Sequence, residues 1–317
     1  MISLTELKNK LLAEESVAIF CHVRPDGDTL GSALALKLAL QSLGKRAEVY
    51  CDDIVPARFF FLEEAKTVKK DFTNEYSALL AIDCADISRL GEFNDVFLAF
   101  KNTYIIDHHI SNTRFAKTNY VLDKASNSEN VLALIKLMGV KITKEMANLL
   151  AMGIMTDTGA FKHKNVTKET LFSAGELIEL GADTNSIYYN MFTKQTAERA
   201  KLFGITASNI RYFYDKRFAV ITISKKNIEI ANAKPEDTEG FIDFIMGIDS
   251  VEIGASVLEM DKNKFKISFR SKGADVNALA GAFGGGGHTL ASGCQLHGEY
   301  EEVIDKIQFE ASRYLID

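Results

Sequence analysis

The sequence is short of the features that would tie it to a membrane, an oxidising compartment or a long nucleic acid. It has four cysteines in 317 residues, Cys21, Cys51, Cys84 and Cys294. They are dispersed, show no CxxC spacing and sit in apolar or small-residue runs, as buried free thiols in a reducing compartment do. No segment approaches 18 uninterrupted apolar residues, so nothing is expected to span a membrane. The N-terminal MISLTELKNKLLAEES interleaves Lys and Glu on an amphipathic pattern and lacks the basic region and apolar run of a leader. There is no basic excess: the formal charge is −6, spread over both halves. That argues against a grip on long nucleic acid, which needs many neutralised phosphates, but leaves room for a small anionic ligand. No GxSxG or comparable Ser-His-Asp signal suggests a covalent nucleophile. The three prolines mark no linker, and there is no internal repeat and no low-complexity tract beyond Gly284–Gly287. A cytoplasmic protein is expected.

Apolar residues make up 47% and charged residues 25%, ordinary globular values, and the length suits two domains. In the first half, apolar runs at 17–22, 47–51, 78–83 and 103–107 alternate with helical patterns, which predicts a parallel sheet with helices on its faces. GSALALKLALQSLG (31–44) reads as a helix stopped by Gly44. Ser126 with Glu129 forms a capping-box pattern for a helix to about Met138, and further helices are expected near 144–154 and 168–180. From about residue 205 the pattern changes to strand-like NIRYFYD, RFAVITIS, EIGASVLEM and KFKISFRS. Helical PEDTEGFIDFIMG, DVNALAGAF and EEVIDKIQFEASRYL lie between and after them. The expected organisation is an α/β domain over 1–190, a linker over 191–200 and a smaller α+β domain over 201–317, with the active site in a cleft between them.

Polar residues cluster where open α/β sheets bind ligands, just past the carboxyl ends of strands. The first strand runs into His22, Asp26 and Asp28, with Pro25 and Gly27 read as a stiff turn before the helix. The third ends at Asp83, the fourth at Asp107, His108 and His109, and Asp157 follows a helix in MTDTGAF. Asp-Gly-Asp alone is more often a turn with a helix cap, and paired histidines alone can be simple strand-end residues. Together, His22, Asp26, Asp28, Asp83, His108 and Asp157 form a set of four carboxylates that would repel one another unless cations neutralised them. Nitrogen and carboxylate ligands without thiolate suit Mn²⁺ first, with Mg²⁺, Co²⁺, Fe²⁺ or Zn²⁺ as substitutes. Six ligands suit two ions about 3.5–4 Å apart that share a carboxylate and activate a water for attack on a phosphoester.

HVRPDGDTLGSALAL, IDCADISRLG, IDHHISN and GIMTDTGAF, in that order, resemble the four motifs of the DHH phosphoesterase superfamily. FRSKG, Val276–Leu279 and FGGGGHTLASGC resemble the associated DHHA1 domain. Nearly the whole chain is covered, and its length and signatures are most similar to the NrnA group, whose members degrade very short oligoribonucleotides and dephosphorylate 3′-phosphoadenosine 5′-phosphate (pAp). The resemblance implies one Mn²⁺ on His22, Asp26 and Asp83 and a second on Asp28, Asp83, His108 and Asp157, with Asp83 bridging. It implies that Asp107 fixes an imidazole, that His109 faces the substrate phosphate as donor or general acid, and that the protein is a homodimer.

The second domain is expected to choose the substrate. Four successive glycines should stabilise neither helix nor strand, so Gly284, Gly285, Gly286 and Gly287 are expected to bare backbone N–H groups to a phosphate, with His288 beside them. A flexible turn is the bland alternative, which the family pattern outweighs. Arg270 and Ser271 are expected at a terminal phosphate, with Asn277 a weaker candidate. His163 reads as a solvated loop residue, His297 has no role, Arg89 and Asp86 flank the bridging acid and suit either support of its surroundings or a surface ion pair, and Phe59–Phe61 read as core. The expected activity is metal-dependent hydrolysis of di- to pentanucleotide RNA and of pAp, with no long nucleic acid or membrane as partner. The nearest rival is hydrolysis of cyclic dinucleotides or of linear pApA or pGpG. Long single-stranded DNA processing and pyrophosphate hydrolysis fit less well, and an inactive nucleotide-binding module is disfavoured by the complete ligand set.

Overall fold

The computed structural model describes residues 2–73 and 75–315, and the chain divides into two compact units between Lys194 and Gln195. The first unit contains α1 (Leu4–Ala13), β1 (Ser16–Phe20), α2 (Gly27–Ser42), β2 (Arg46–Tyr50), β3 (Ala78–Ile82), α3 (Asn94–Ala99), β4 (Thr103–Asp107), β5 (Thr118–Val121), α4 (Asn127–Leu137), α5 (Lys144–Asp157), α6 (Lys168–Glu179) and α7 (Thr184–Tyr188). Its five strands are all parallel, in the order β2-β1-β3-β4-β5. Alternation divides each strand between two cores. Val17, Ile19, Leu80, Ile82 and Ile106 face α1, α2, α4 and α5. Ala18, Phe20, Leu79, Ala81 and Ile105 face an aromatic cluster that includes Tyr50, Phe93 and Phe97. All four cysteines are free and buried, as their apolar surroundings predict.

Two local differences bear on the site. Helix α2 starts at Gly27, not Gly31, because the Asp26 side chain caps it, accepting from the N–H groups of Asp28 (3.0 Å) and Thr29 (3.1 Å). The expected Pro25–Gly27 turn is thus already the entry to the helix, and Asp28 lies in its first turn, fully buried. Helix α4 starts at Asn127 as expected, but no capping box forms. Ser126 makes no side-chain cap bond, and Glu129 instead accepts from Thr170 Oγ1 at 3.0 Å. Helices α2 and α5 approach closely through glycine: a Cβ on Gly27 would strike the Thr156 side chain, and one on Gly31 would strike the Leu149 carbonyl.

The segment 191–200 is not irregular chain. A π-helical turn, Tyr189–Thr193, leads to α8 (Ala197–Ala207), with which the second unit opens. That unit continues with β6 (Arg211–Phe213), β7 (Phe218–Ile223), α9 (Lys225–Ala231), α10 (Phe241–Met246), β8 (Ile253–Asp261), β9 (Lys264–Ser271), α11 (Val276–Gly281), β10 (Gly286–His288), β11 (Ala291–His297) and α12 (Tyr300–Ala311). The six-stranded mixed sheet has the order β10-β11-β9-β8-β7-β6, with only β7 and β8 parallel. The single helix read over PEDTEGFIDFIMG is broken at Gly240, whose φ of 76° closes a 3-10 turn before α10. The glycine run also departs from expectation, since Gly286 and Gly287 sit in β10, paired with Gly293 and Ser292 of β11. Glycine weakens a strand but is suited to close backbone approach, and a Cβ on Gly285 would strike the Gly293 carbonyl. Among the described residues no helix is long and apolar enough to cross a membrane.

The α2–α5 contact has a direct test. Gly31→Ala forces a methyl onto backbone and should cost about 1–3 kcal/mol. Gly175→Ala in α6, where a Cβ meets nothing within 4 Å, should stabilise by up to about 1 kcal/mol through chain entropy. Urea unfolding of the two variants measures both, and equal stabilities would contradict the packing.

Candidate metal centre

The six expected ligands converge at the carboxyl edge of the parallel sheet, although each reaches it differently. His22 and Asp83 lie one or two residues beyond β1 and β3, with Asp83 in the left-handed backbone region at φ 57°. That conformation costs aspartate less than most residues, and the Asp83 N–H still donates to the Ile106 carbonyl at 3.0 Å. His108 follows β4, Asp26 and Asp28 begin α2, and Asp157 is the last residue of α5.

Their ligand atoms form two overlapping groups. In one, His22 Nε2 lies 3.4 Å from Asp26 Oδ2 and 3.7 Å from Asp83 Oδ2. In the other, His108 Nε2 lies 3.3 Å from Asp157 Oδ2, with Asp28 in reach of the same atoms. The groups meet where Asp83 Oδ1 lies 3.3 Å from His108 Nε2. His108 Nδ1 lies 2.9 Å from the Lys124 carbonyl oxygen, which can only accept. Nδ1 therefore carries a proton, and Nε2 is turned toward carboxylate oxygens. Imidazole nitrogens and carboxylate oxygens converging at these distances, together with a buried Asp83 Oδ1 that has no hydrogen-bond partner, make up the donor set of a cation. The residues present fit divalent ions.

Proton affinities carry the same signature. Burial alone would lower His22, yet the hydrogen bonds and charges of Asp26 and Asp83 hold it at about 10. His108 is raised against burial in the same way, first by Asp83. Burial pushes Asp83 up, but the two imidazoles prevail and hold it far below the usual carboxylate range. Asp28 and Asp157 are pushed up, by burial first and then by neighbouring carboxylates. Without cations, the cluster keeps protons to limit its own repulsion.

Asp28 is held in a way the sequence did not disclose. Its carboxylate accepts from the N–H groups of Asn127 (2.5 Å) and Ser128 (2.9 Å) and from Ser128 Oγ (2.5 Å), so it caps α4 from a hundred residues away. Gly153 makes room, since a Cβ there would strike Ser128 and Asp28. Asp107 meets the imidazole of His109 and not that of the candidate ligand His108: His109 Nδ1 lies 2.8 Å from Asp107 Oδ1. Asn112 holds the other oxygen, donating from Nδ2 at 2.5 Å to Asp107 Oδ2 and at 2.9 Å to the Cys84 carbonyl. Asn112 was missed, although it lies within IDHHISN. Of the two readings of Arg89, a surface ion pair or support beside the bridging acid, the geometry fits the second: its Nη2 lies 2.9 Å from His22 Nδ1, an atom also 2.8 Å from the Val23 carbonyl. Asp86 caps the turn that carries Arg89. His163 is not simply solvated, since its Nδ1 meets the Asp157 carbonyl at 3.1 Å. Phe59 is buried, with Phe60 and Phe61 packed against the same core, as expected.

In the second unit, the open glycine cradle is not what forms. The N–H of Gly284 donates to the Gly281 carbonyl (3.0 Å), that of Gly285 to the Ala280 carbonyl (2.9 Å) and that of Gly287 to Asn277 Oδ1 (2.8 Å). Those three donors are spent inside the unit, and Asn277 serves as the tether. Ser271 Oγ donates to the Ala274 carbonyl at 2.5 Å. Arg270, Ala291 and His288 lie in one row across β9, β11 and β10, so Arg270 and His288 share a face of the sheet.

An acid–imidazole cluster at the carboxyl edge of a parallel sheet, followed by a mixed-sheet unit, defines a class of phosphoric ester hydrolases. The chain belongs to the DHH family: the DHH family N-terminal domain matches residues 16–154 and the DHHA1 domain matches residues 215–317. It is 31% identical over 95% of its length to the bifunctional oligoribonuclease and PAP phosphatase NrnA of Thermus thermophilus, covering 91% of that protein. It is 27% identical to the Bacillus subtilis protein of the same name over 92% of this chain and 93% of that one. Among solved structures, an exopolyphosphatase-related protein from Bacteroides fragilis aligns over 98% of this chain and 96% of its own, at 28% identity and a TM-score of 0.85.

The cluster's proton balance sets a pH dependence. His22, His108, Asp28 and Asp157 all hold protons more tightly when folded. Between pH ~4, where free carboxyls titrate, and about 10, where His22 titrates, the folded state therefore binds more protons and stability falls as pH rises. The depressed Asp83 acts oppositely, adding stability that is lost only in strong acid. The thermal midpoint of metal-stripped protein should drop from pH 6 to pH 9, and saturating Mn²⁺ should flatten that drop. The same drop with and without Mn²⁺ would contradict the assignment.

Proposed function

We propose that the chain is a cytoplasmic, Mn²⁺-dependent phosphoesterase that hydrolyses di- to pentanucleotide RNA to mononucleotides and removes the 3′-phosphate of pAp. The observation that carries this reading is the pair of ligand groups, His22/Asp26 and Asp28/His108/Asp157, meeting at Asp83. The names of the full-length relatives support the substrates.

His22, Asp26 and Asp83 would hold one cation, and Asp28, His108 and Asp157, with Asp83 shared, the other. Bound divalent ions supply Lewis-acid activation of the attacking water and neutralise charge on the phosphoryl oxygens. The chain's own residues do the rest. Asp107 takes the Nδ1 proton of His109 in a hydrogen bond and is itself locked by Asn112, which leaves His109 Nε2 to donate to the phosphate. His109 is raised first by that Asp107 bond, which favours the doubly protonated ring that donates from Nε2. On the second unit, Arg270 and His288 offer cationic and donor groups to a phosphate, with Ser271, Asn277 and Gly285–Gly287 framing them.

Purified protein with Mn²⁺ is to be given pAp, an RNA length ladder, pApA, pGpG, cyclic dinucleotides and pyrophosphate. Strong turnover of the shortest RNAs and phosphate release from pAp are expected, fading as the RNA lengthens. Equal rates on long and short strands, or a preference for cyclic dinucleotides, would overturn the substrate reading. Asp83→Ala should abolish turnover and metal pairing with an unchanged circular dichroism spectrum, and residual activity above a few per cent would contradict a bridging role. Arg270→Ala should raise KM more than it lowers kcat.

A further inference from the structure

Arg89 lies against the candidate metal centre without a carboxylate of its own. It belongs to the helical turn Ile87–Phe93 beyond Asp83, and its backbone is clamped there. The Val23 N–H donates to the Arg89 carbonyl at 2.7 Å, and the Arg89 N–H donates to the Asp86 carbonyl at 3.0 Å. Gly91 packs the same turn against Val23 and Asp52, since a Cβ there would strike both. The half-buried guanidinium thus reaches His22 Nδ1 from a fixed base. Among the described residues Arg89 takes part in none of the ion pairs found. The carboxylates around the turn have other partners. Asp86 accepts from the Ser88 N–H at 2.9 Å and from Thr113 Oγ1 at 3.3 Å. Asp52 accepts from the Glu92 N–H at 3.1 Å and meets Lys70 at 3.7 Å, and Asp53 accepts from the Arg24 N–H at 2.6 Å.

The contact with His22 cannot persist once that residue holds a cation. His22 Nδ1 lies 2.9 Å from Arg89 Nη2 and 2.8 Å from the Val23 carbonyl. One ring nitrogen serves only one of them, accepting from Arg89 with its lone pair or donating a proton to the carbonyl. A cation at His22 takes the Nε2 lone pair, so the ring proton sits on Nδ1 and goes to the Val23 carbonyl. Arg89 Nη2 then faces an N–H and has no acceptor. Its charge also opposes the cation by like-charge repulsion, so the guanidinium is not there to strengthen metal binding. Two divalent ions balance the four carboxylates Asp26, Asp28, Asp83 and Asp157, which leaves Arg89 as uncompensated positive charge beside the centre. The planar fork of a guanidinium is matched by the oxygens of a phosphate. We infer that Arg89 binds the substrate's phosphate at the metal centre, and that cation loading at His22 turns the guanidinium from the imidazole to that phosphate. The inference deepens the proposed function and rests on it.

Calorimetry on the full-length protein tests this in two titrations, Mn²⁺ into metal-stripped protein and inorganic phosphate into Mn²⁺-loaded protein. Arg89→Ala should bind Mn²⁺ at least as tightly as the wild type but phosphate about ten-fold more weakly, the loss of one charge-assisted contact. Arg89→Gln, which keeps the bulk of the side chain, should reproduce that result, and Arg89→Lys should fall between it and the wild type for phosphate. Turnover of pAp should decline in the same order. A brace for His22 would give the opposite pattern, weakened Mn²⁺ binding with phosphate affinity unchanged, and that pattern would overturn the inference while leaving the proposed function intact. Wild-type protein that binds Mn²⁺ but no phosphate would overturn it as well. Protein that binds both ions in the expected way yet hydrolyses neither pAp nor dinucleotide RNA would overturn the proposed substrates and leave Arg89 as an anion site.

Discussion

Four carboxylates at one edge of a buried sheet are held together against their own repulsion, and most of the surrounding structure answers that constraint. Two unit charges 4 Å apart interact by about 4 kcal/mol at an effective dielectric of 20, a large fraction of the net stability of a domain. The repulsion is met in three ways. Two imidazoles face Asp83 from opposite sides. The first turn of α4 donates two N–H groups to Asp28, adding the positive end of a helix to a buried anion. Burial keeps protons on Asp28 and Asp157 when nothing else compensates. Each device works without a cation, and each leaves a lone pair or an exchangeable proton where a cation belongs.

The adjacent histidines show how backbone geometry assigns separate tasks to neighbouring residues of one type. Beyond β4 the chain turns, so that His108 reaches back to the Lys124 carbonyl while His109 reaches Asp107, the last residue of the strand. A neutral carbonyl fixes a proton on His108 Nδ1 and leaves Nε2 facing the carboxylates, which suits a ligand. A buried carboxylate stabilises the protonated form of His109, which suits a donor. Exchanging the two partners would reverse the two roles, and Asn112 prevents the exchange by occupying the remaining oxygen of Asp107.

The acid–imidazole cluster was legible because each of its residues sits in a short motif beside a strand or helix end, where topology forces convergence. Local patterns served less well wherever another residue competes for the same group. Ser126 and Glu129 spell a capping box, yet Asp28 takes the helix N–H groups and Thr170 takes Glu129. Pro25 to Gly27 spells a turn, yet the Asp26 cap extends α2 back through Gly27. Glycine propensity argued against a strand at 284–287, but β11 presents Gly293, and two facing glycine backbones approach as closely as a ladder requires. Only the partners at α4 are remote in sequence; Asp26 adjoins Gly27, and Gly293 lies seven residues beyond Gly286.

Rigidity at the site follows from the same long-range partners. Asp83 is held by a β4 carbonyl through its N–H and by two imidazoles through its carboxylate, so its left-handed backbone is determined several times over. Gly27 and Gly31 of α2 and Gly153 of α5 leave room for close approach, and Asp28 is held there by Ser128. A centre fixed by secondary-structure ends and helix packing has its geometry set by folding, so an arriving cation displaces protons and need not reorganise the chain.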